Sequence, residues 1–311
     1  MRGQLRGLTR MTKHAVVGLA LAGGVVVTSV ASGASAGALA ARVGTASSAS
    51  SGVSVADAAC PKGAGYWMAA TDGGVFAFGE SDFHGSEGGS PLNKPVVGIA
   101  STPTGDGYWM VASDGGIFTH GDALFSGSEG ALTLNSPIVG IASTPTGEGY
   151  WLVAADGGVF THGDAGFFGS MGAQHLNKPI VGIAPTNSGE GYYLVASDGG
   201  IFTFGDAAFL GSEGGAPLNK PIVGIAVTPT GDGYYLVASD GGIFTHNAAF
   251  RGSEGGGPLN KPVVGMVLTF SGKGYWLVAS DGGVFTHGDA GFCGSTGNIV
   301  LNKPVVGIAA F

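Results

Sequence analysis

Apolar runs of four to eight residues, cut by glycine-rich breaks, recur from about residue 60 to residue 311. In one copy PVVGIAST (95–102) is an apolar run that ends at TPTGDG. YWMVAS (108–113) is a second, closed by Asp114-Gly115-Gly116, and IFTH (117–120) is a third, closed by Gly121-Asp122. A shorter segment around Phe125 then leads into the looser GSEGALTLNS. Short runs apolar on both faces and bounded by turn residues predict buried strands. Asp-Gly between two such runs predicts a tight hairpin, a type I′ turn in which glycine accepts positive φ. Each copy therefore predicts four antiparallel strands, a to d.

The copies are evenly spaced. Tyr66, Tyr108, Tyr150, Tyr192, Tyr234 and Tyr275 follow one another at 42, 42, 42, 42 and 41 residues. Each precedes Trp67, Trp109, Trp151, Tyr193, Tyr235 or Trp276, and these six pairs hold every Trp and Tyr of the chain. A period near 42 residues of strand-like sequence predicts the blades of a β-propeller. Run a, with its Gly and Ala, belongs at the crowded axis. The F-x-G-S segment belongs outermost, with its variable x position (His84, Ser126, Phe168, Leu210, Arg251, Cys293) facing solvent. The first copy has no complete run a before it, whereas PVVGIAAF (304–311) follows the last. A ring in which the C-terminal strand completes blade 1 resolves this offset and removes the sheet edges. The expected fold is all-β, a six-bladed propeller over 60–311. An open β-solenoid leaves the offset unexplained.

The N-terminus follows another pattern. Arg2, Arg6, Arg10 and Lys13 precede the apolar run AVVGLALAGGVVVTSV, and two A-x-A sites follow at Ala34–Ala36 and Ala38–Ala40. A basic head, short apolar middle and small-residue exit predict a Sec-type signal peptide over 1–40, hence a secreted or cell-surface protein. No later run is long enough to span a membrane. Residues 41–59, rich in Ala, Ser and Gly, read as a flexible lead. Cleavage at residue 40 removes four of the 13 basic residues and none of the 21 acidic ones. Nine against 21 leaves about −12. Without clustered basic residues the footprint of a nucleic-acid binder is missing. Gly and Pro together are about 24% of the chain, at the edge of disordered compositions, but here the glycines are periodic.

The phrase GYWLVASDGGVFTHGDA (274–290), with GYW and SDGG at fixed spacing in the other copies, resembles an actinobacterial secreted repeat. The resemblance covers about 250 residues. It implies a propeller-like extracellular module found alone or beside cell-wall hydrolase or peptidase domains, and it carries no established activity.

Candidate chemistry reads mostly as architecture. His120, His162, His246 and His287 share a repeat position with Phe78 and Phe204, as an aromatic packing slot would. The turn aspartates Asp72, Asp114, Asp156, Asp198, Asp240 and Asp281 cap their own hairpins. A second acidic set, Asp106, Glu148, Glu190 and Asp232 with Glu80, Asp122, Asp164, Asp206 and Asp289, falls on turns of one face. Its spacing matches no calcium loop, so no cofactor is expected, with Ca²⁺ as the alternative. On the other face Lys94, Lys178, Lys220, Lys261 and Lys303 recur in L-N-K-P connectors, with Ser136 at the sixth copy. These lysines are the candidate ligand-binding residues. Cys60 and Cys293 are a possible disulfide across the ring closure, although their places in the repeat frame put them on different strands.

No catalytic set stands out. The blades contain a single arginine, Arg251, too few for a sialidase-like cluster, and no G-x-S-x-G elbow marks a serine hydrolase. The leading expectation is a non-enzymatic secreted module that binds cell-wall glycan or another extracellular protein. A carbohydrate hydrolase or lyase with its site at the axial opening is the alternative, and a purely structural surface protein is a third.

Overall fold

The computed structural model describes residues 59–311. The leader expected at 1–40 and the expected lead, apart from Ala59, lie outside the described residues. All regular elements described are strands. β1 (Gly65–Ala70) and β2 (Val75–Gly79) come first. Three follow from each later copy: β3 (Val96–Ser101), β4 (Gly107–Ala112) and β5 (Ile117–Gly121), then β6 (Ile138–Ser143), β7 (Tyr150–Ala154) and β8 (Val159–His162). Next come β9 (Ile180–Pro185), β10 (Gly191–Ala196) and β11 (Ile201–Gly205), with β12 (Ile222–Val227), β13 (Tyr234–Ala238) and β14 (Ile243–His246). The last are β15 (Val263–Leu268), β16 (Gly274–Ala279), β17 (Val284–Gly288) and β18 (Val305–Ala310).

These strands form six antiparallel three-stranded sheets, and the first is β18-β1-β2. The C-terminal strand completes blade 1, with Tyr66 paired to Ala310 and Met68 to Ile308. Inner strands β18, β3, β6, β9, β12 and β15 each lie against both neighbours, and β15 returns to β18. The chain is a closed six-bladed β-propeller. An open solenoid would leave β1 and β18 as separate ends.

Glycine sets the inner spacing. A Cβ on Gly98 would stand 3.4 Å from the Ile141 side chain of the next blade. Six buried clusters fill the wedges between neighbouring blades, each drawing on two of them, as Trp109 and Val111 do with Ile138, Tyr150 and Leu152. The hydrophobic stabilisation therefore depends on neighbours being present.

Two sequence expectations are corrected. The b–c hairpin is not type I′, since none of the turn aspartates has positive φ. Gly115 N instead donates to Ala112 O, and Gly115 takes a φ of 82°. This is a type I turn followed by a left-handed glycine, the three-residue hairpin loop. The Asp114 carboxylate accepts from Gly116 N at 3.1 Å and closes the turn, in all six blades alike. The second correction concerns the fourth strand, which does not form. The F-x-G-S segment bends at a glycine with φ between 134° and 142°, and one backbone bond ties it to the b–c turn, as from Glu129 N to Gly115 O.

Side chains replace the missing ladder. The first Tyr of each pair donates to a glycine carbonyl in the outer segment of the preceding blade, at 2.5–2.6 Å in all six interfaces. Each Trp donates from Nε1 to the outer segment of its own blade, as Trp151 does to Gly166 O at 2.7 Å. The two rings also meet across every interface, with centroids 5.1–5.9 Å apart and tilted. Burial pushes the Tyr66 and Tyr275 hydroxyls up to about 12, so they remain protonated donors.

Candidate functional site

The outer segment holds the main surprise. Phe83, Phe125, Phe167, Phe209 and Phe250 are 60–63% exposed, and Phe292 is 40% exposed. The variable x position was expected to face solvent, yet His84 and Phe168 turn inward onto Tyr108 and Tyr192 of the next blade. The invariant residue is the one outside. A phenylalanine present in all six copies and largely in water is not explained by packing.

Phe125, Phe209 and Phe250 each border a cleft. In blade 2 the walls are Asn93 and Lys94 of the connector, Asp114 of the b–c turn, and Phe118, Phe125 and Ser128. Blade 4 repeats the set with Asn177, Lys178, Asp198, Phe202, Phe209 and Ser212. Blade 5 repeats it with Asn219, Lys220, Asp240, Phe244, Phe250 and Ser253. The three clefts measure about 360–400 Å³. Connectors and b–c turns do share one face, as the strand order required. The lysines do not gather on the axis, however. Lys94, Lys178 and Lys220 each serve a separate cleft, and Lys261 and Lys303 are likewise exposed at the same repeat position. Among the described residues, no lysine lies within ion-pair distance of a carboxylate, and the ion pairs are all His–Glu. Each cleft thus offers an apolar plate, a cation, an amide and a carboxylate oxygen not used by its turn. Sequence reasoning missed the plate because it assigned Phe125 and its equivalents to a packed strand.

The histidine slot does pack as expected, its ring lying under the outer-segment glycine of the preceding blade. It also has a partner. Nε2 of His120, His162, His246 and His287 lies 3.2–3.4 Å from Glu87, Glu129, Glu213 and Glu254 of the blade before. This is close enough for attraction, but the alignment leaves Nε2 without a hydrogen bond. Where the slot holds Phe204 or Phe78, the glutamate position holds Met171 or Thr296. Slot and partner change together.

The opposite face carries the a–b and c–d turns, and the c–d aspartates Asp122, Asp164, Asp206 and Asp289 are used locally. Thr104 donates to Asp122 at 2.6 Å, and Ser188 and Thr186 donate to Asp206 at 2.6 and 2.8 Å, which holds the Asp206 carboxyl below its usual range. In blade 5 Asn247, with φ 50°, replaces Gly-Asp. There Thr228 and Thr230 donate to Asp232 instead, and Asn247 Nδ2 reaches Asp232 O. Among the described residues no group of three His, Cys, Asp or Glu side chains is spaced to hold a metal. The axial hollow on this face, about 450 Å³, is lined by Ser, Thr, Pro, Asn187, Ala310 and Phe311.

Cys60 and Cys293 are joined, with Cα atoms 4.5 Å apart. Phe311 occupies the inner slot that the repeat frame assigns to residue 60. Ala59 and Cys60 lie further out, where Ala59 bridges Phe292 in parallel.

No protein-family model matches this chain, and no curated protein does. Solved structures are similar in fold. The β-propeller domain of Myceliophteria thermophila Cps50 (Swd1) matches at 12% identity over 77% of this chain and 85% of that one, with a TM-score of 0.47. Chaetomium thermophilum Sqt1, solved bound to the N-terminus of ribosomal protein L10, matches at 18% identity over 68% of this chain and 64% of that one, with a TM-score of 0.46.

Proposed function

We propose that this chain is a secreted, non-enzymatic binding propeller whose repeated clefts hold successive sugar rings of a cell-wall glycan. The observation that carries the reading is the exposed phenylalanine of every blade, set in blades 2, 4 and 5 beside a lysine, an asparagine and a turn aspartate. A pyranose presents apolar C–H faces and an equatorial belt of hydroxyls. A flat aromatic plate with a few polar groups at its edge suits both. Single shallow clefts bind weakly, but a repetitive polymer engages several together and gains by effective concentration. The repetition also favours binding over turnover. Acid–base hydrolysis of a glycoside needs two carboxylates across one bond, and the lining of the axial hollow supplies none.

The test is retention on insoluble cell-wall glycan, with oligosaccharide titration for stoichiometry. Retention with several equivalents of short oligosaccharide per chain is expected. Replacing Phe125, Phe209 and Phe250 by alanine together should reduce retention about tenfold or more, through lost avidity. Absence of retention on any wall glycan, or retention untouched by the triple change, sinks the reading. Its export half is checked by N-terminal sequencing of protein from the medium, expected to begin near residue 37 or 41. A chain that stays in the cytosol with Met1 intact overturns that half.

A further inference from the structure

The ring departs from its symmetry at the closure between blades 6 and 1. Around the a–b face, the second residue of each turn covers a glycine of the next turn. Pro103 lies against Gly147, Pro145 against Gly189, and Pro229 against Gly272, while Phe311 covers Gly105. At the closure the covering residue is Phe270 and the glycine is Gly63. Nothing lies within 4 Å of a Cβ built on Gly63, and Phe270 is 93% exposed. The missing contact leaves a pocket of about 460 Å³ walled by Phe270, Phe311, Trp276 and Pro61, with Lys62 and Asp289 among its polar groups.

The charges change at the same place. The fifth turn residue is Asp106, Glu148, Glu190 and Asp232 in blades 2 to 5. In blade 6 it is Lys273, and in blade 1 Lys62 replaces the turn hydroxyl and Ala64 the acid. The two turns that flank the pocket are the two that bear lysines. Asp289 also lines the pocket; its carboxylate accepts from Thr269 Oγ1 at 2.9 Å and from Ser271 Oγ at 2.5 Å, which ties it to the blade 6 turn, and it pairs with neither lysine. An apolar pocket of this size with a cationic edge, on an otherwise acidic face, is complementary to a small anion with a ring body.

We propose that the closure pocket binds one carboxylate-bearing ring compound. The ring lies against Phe270 and Phe311, and the carboxylate faces Lys62 at the pocket's edge. The site is separate from the rim clefts and does not depend on their reading. An aromatic acid and an acidic sugar share this chemistry.

Titration of the full chain with benzoate and with D-glucuronate, against benzyl alcohol and D-glucose, tests the proposal. At least one anion should bind at one equivalent, about tenfold more tightly than its neutral counterpart, and weaken as salt rises. Which anion binds tells the two sources apart. Phe270→Ala and Lys62→Gln should each weaken binding, and Lys62→Glu should abolish it. Both positions are exposed, so unchanged unfolding temperatures are expected. Phe125→Ala should leave this binding intact, whatever becomes of retention on glycan. Three results overturn the proposal: neither anion binds, the neutral compounds bind equally well, or Phe270→Ala and Lys62→Glu change nothing.

Discussion

A histidine ring in an aromatic slot does more than fill it when a glutamate of the preceding blade stands 3.2 Å away, as Glu129 does from His162. Burial holds His162 below its ordinary value, and Glu129 only partly offsets this. Burial does the same to His120, where Glu87 pulls up and His84 pushes down. A depressed histidine favours the fold while neutral. Its contribution is complete above the unfolded value near 6.5 and is lost as pH falls through the folded value. Thermal unfolding should therefore shift down between pH 7 and 5. The double change His162→Phe with Glu129→Met, which copies the natural Phe204–Met171 pair, should blunt that shift; an unaltered pH profile would falsify the assignment. The sequence already showed the slot alternating between His and Phe. The glutamate partner was not legible, because it lies 33 residues upstream on another blade.

At the scale of the element, three strands per blade suffice because aromatic side chains hold the fourth segment. The runs YWMVAS and IFTH announced β4 and β5 to within a residue or so, since continuous apolar runs and turn glycines are local signals. The outer segment misled for the converse reason: Phe125 has the residue type of a strand but no partner strand, and its segment bends at Gly127 with φ 142°. The b–c turn gives the sharpest test here. Gly115 has φ 82°, and a Cβ there would stand 2.5 Å from the Glu129 Cβ. Gly115→Ala should destabilise the chain by at least about 1 kcal/mol in urea unfolding. Asp114→Ala, which loses one turn hydrogen bond, should lose about 0.5–1.5 kcal/mol.

Across the whole molecule, stability lies in six interfaces, so closure matters more than any one blade. Backbone bonds from each turn to the next inner strand run round the ring without a gap, ending with Val305 N to Ser280 O. Cys60–Cys293 spans 233 residues and fixes Ala59 and Cys60 beside blade 6. Replacing both cysteines by serine should lower stability by about 2–4 kcal/mol, read from unfolding of oxidised protein against the variant. Free thiols in protein purified without reductant, detected by non-reducing mass mapping, would remove that link. The local alphabet of apolar runs, turn glycines and a 42-residue period determined the three strands of each blade, the number of blades and the offset that demands a closed ring, because those are repeated short-range signals. Tertiary structure alone decided where residues from different blades meet: the glutamate beside each histidine, the phenylalanine left in water, the cysteines brought together and the uncovered glycine at the closure. These depend on which surfaces the ring buries and which it leaves open, and that is a property of the closed assembly.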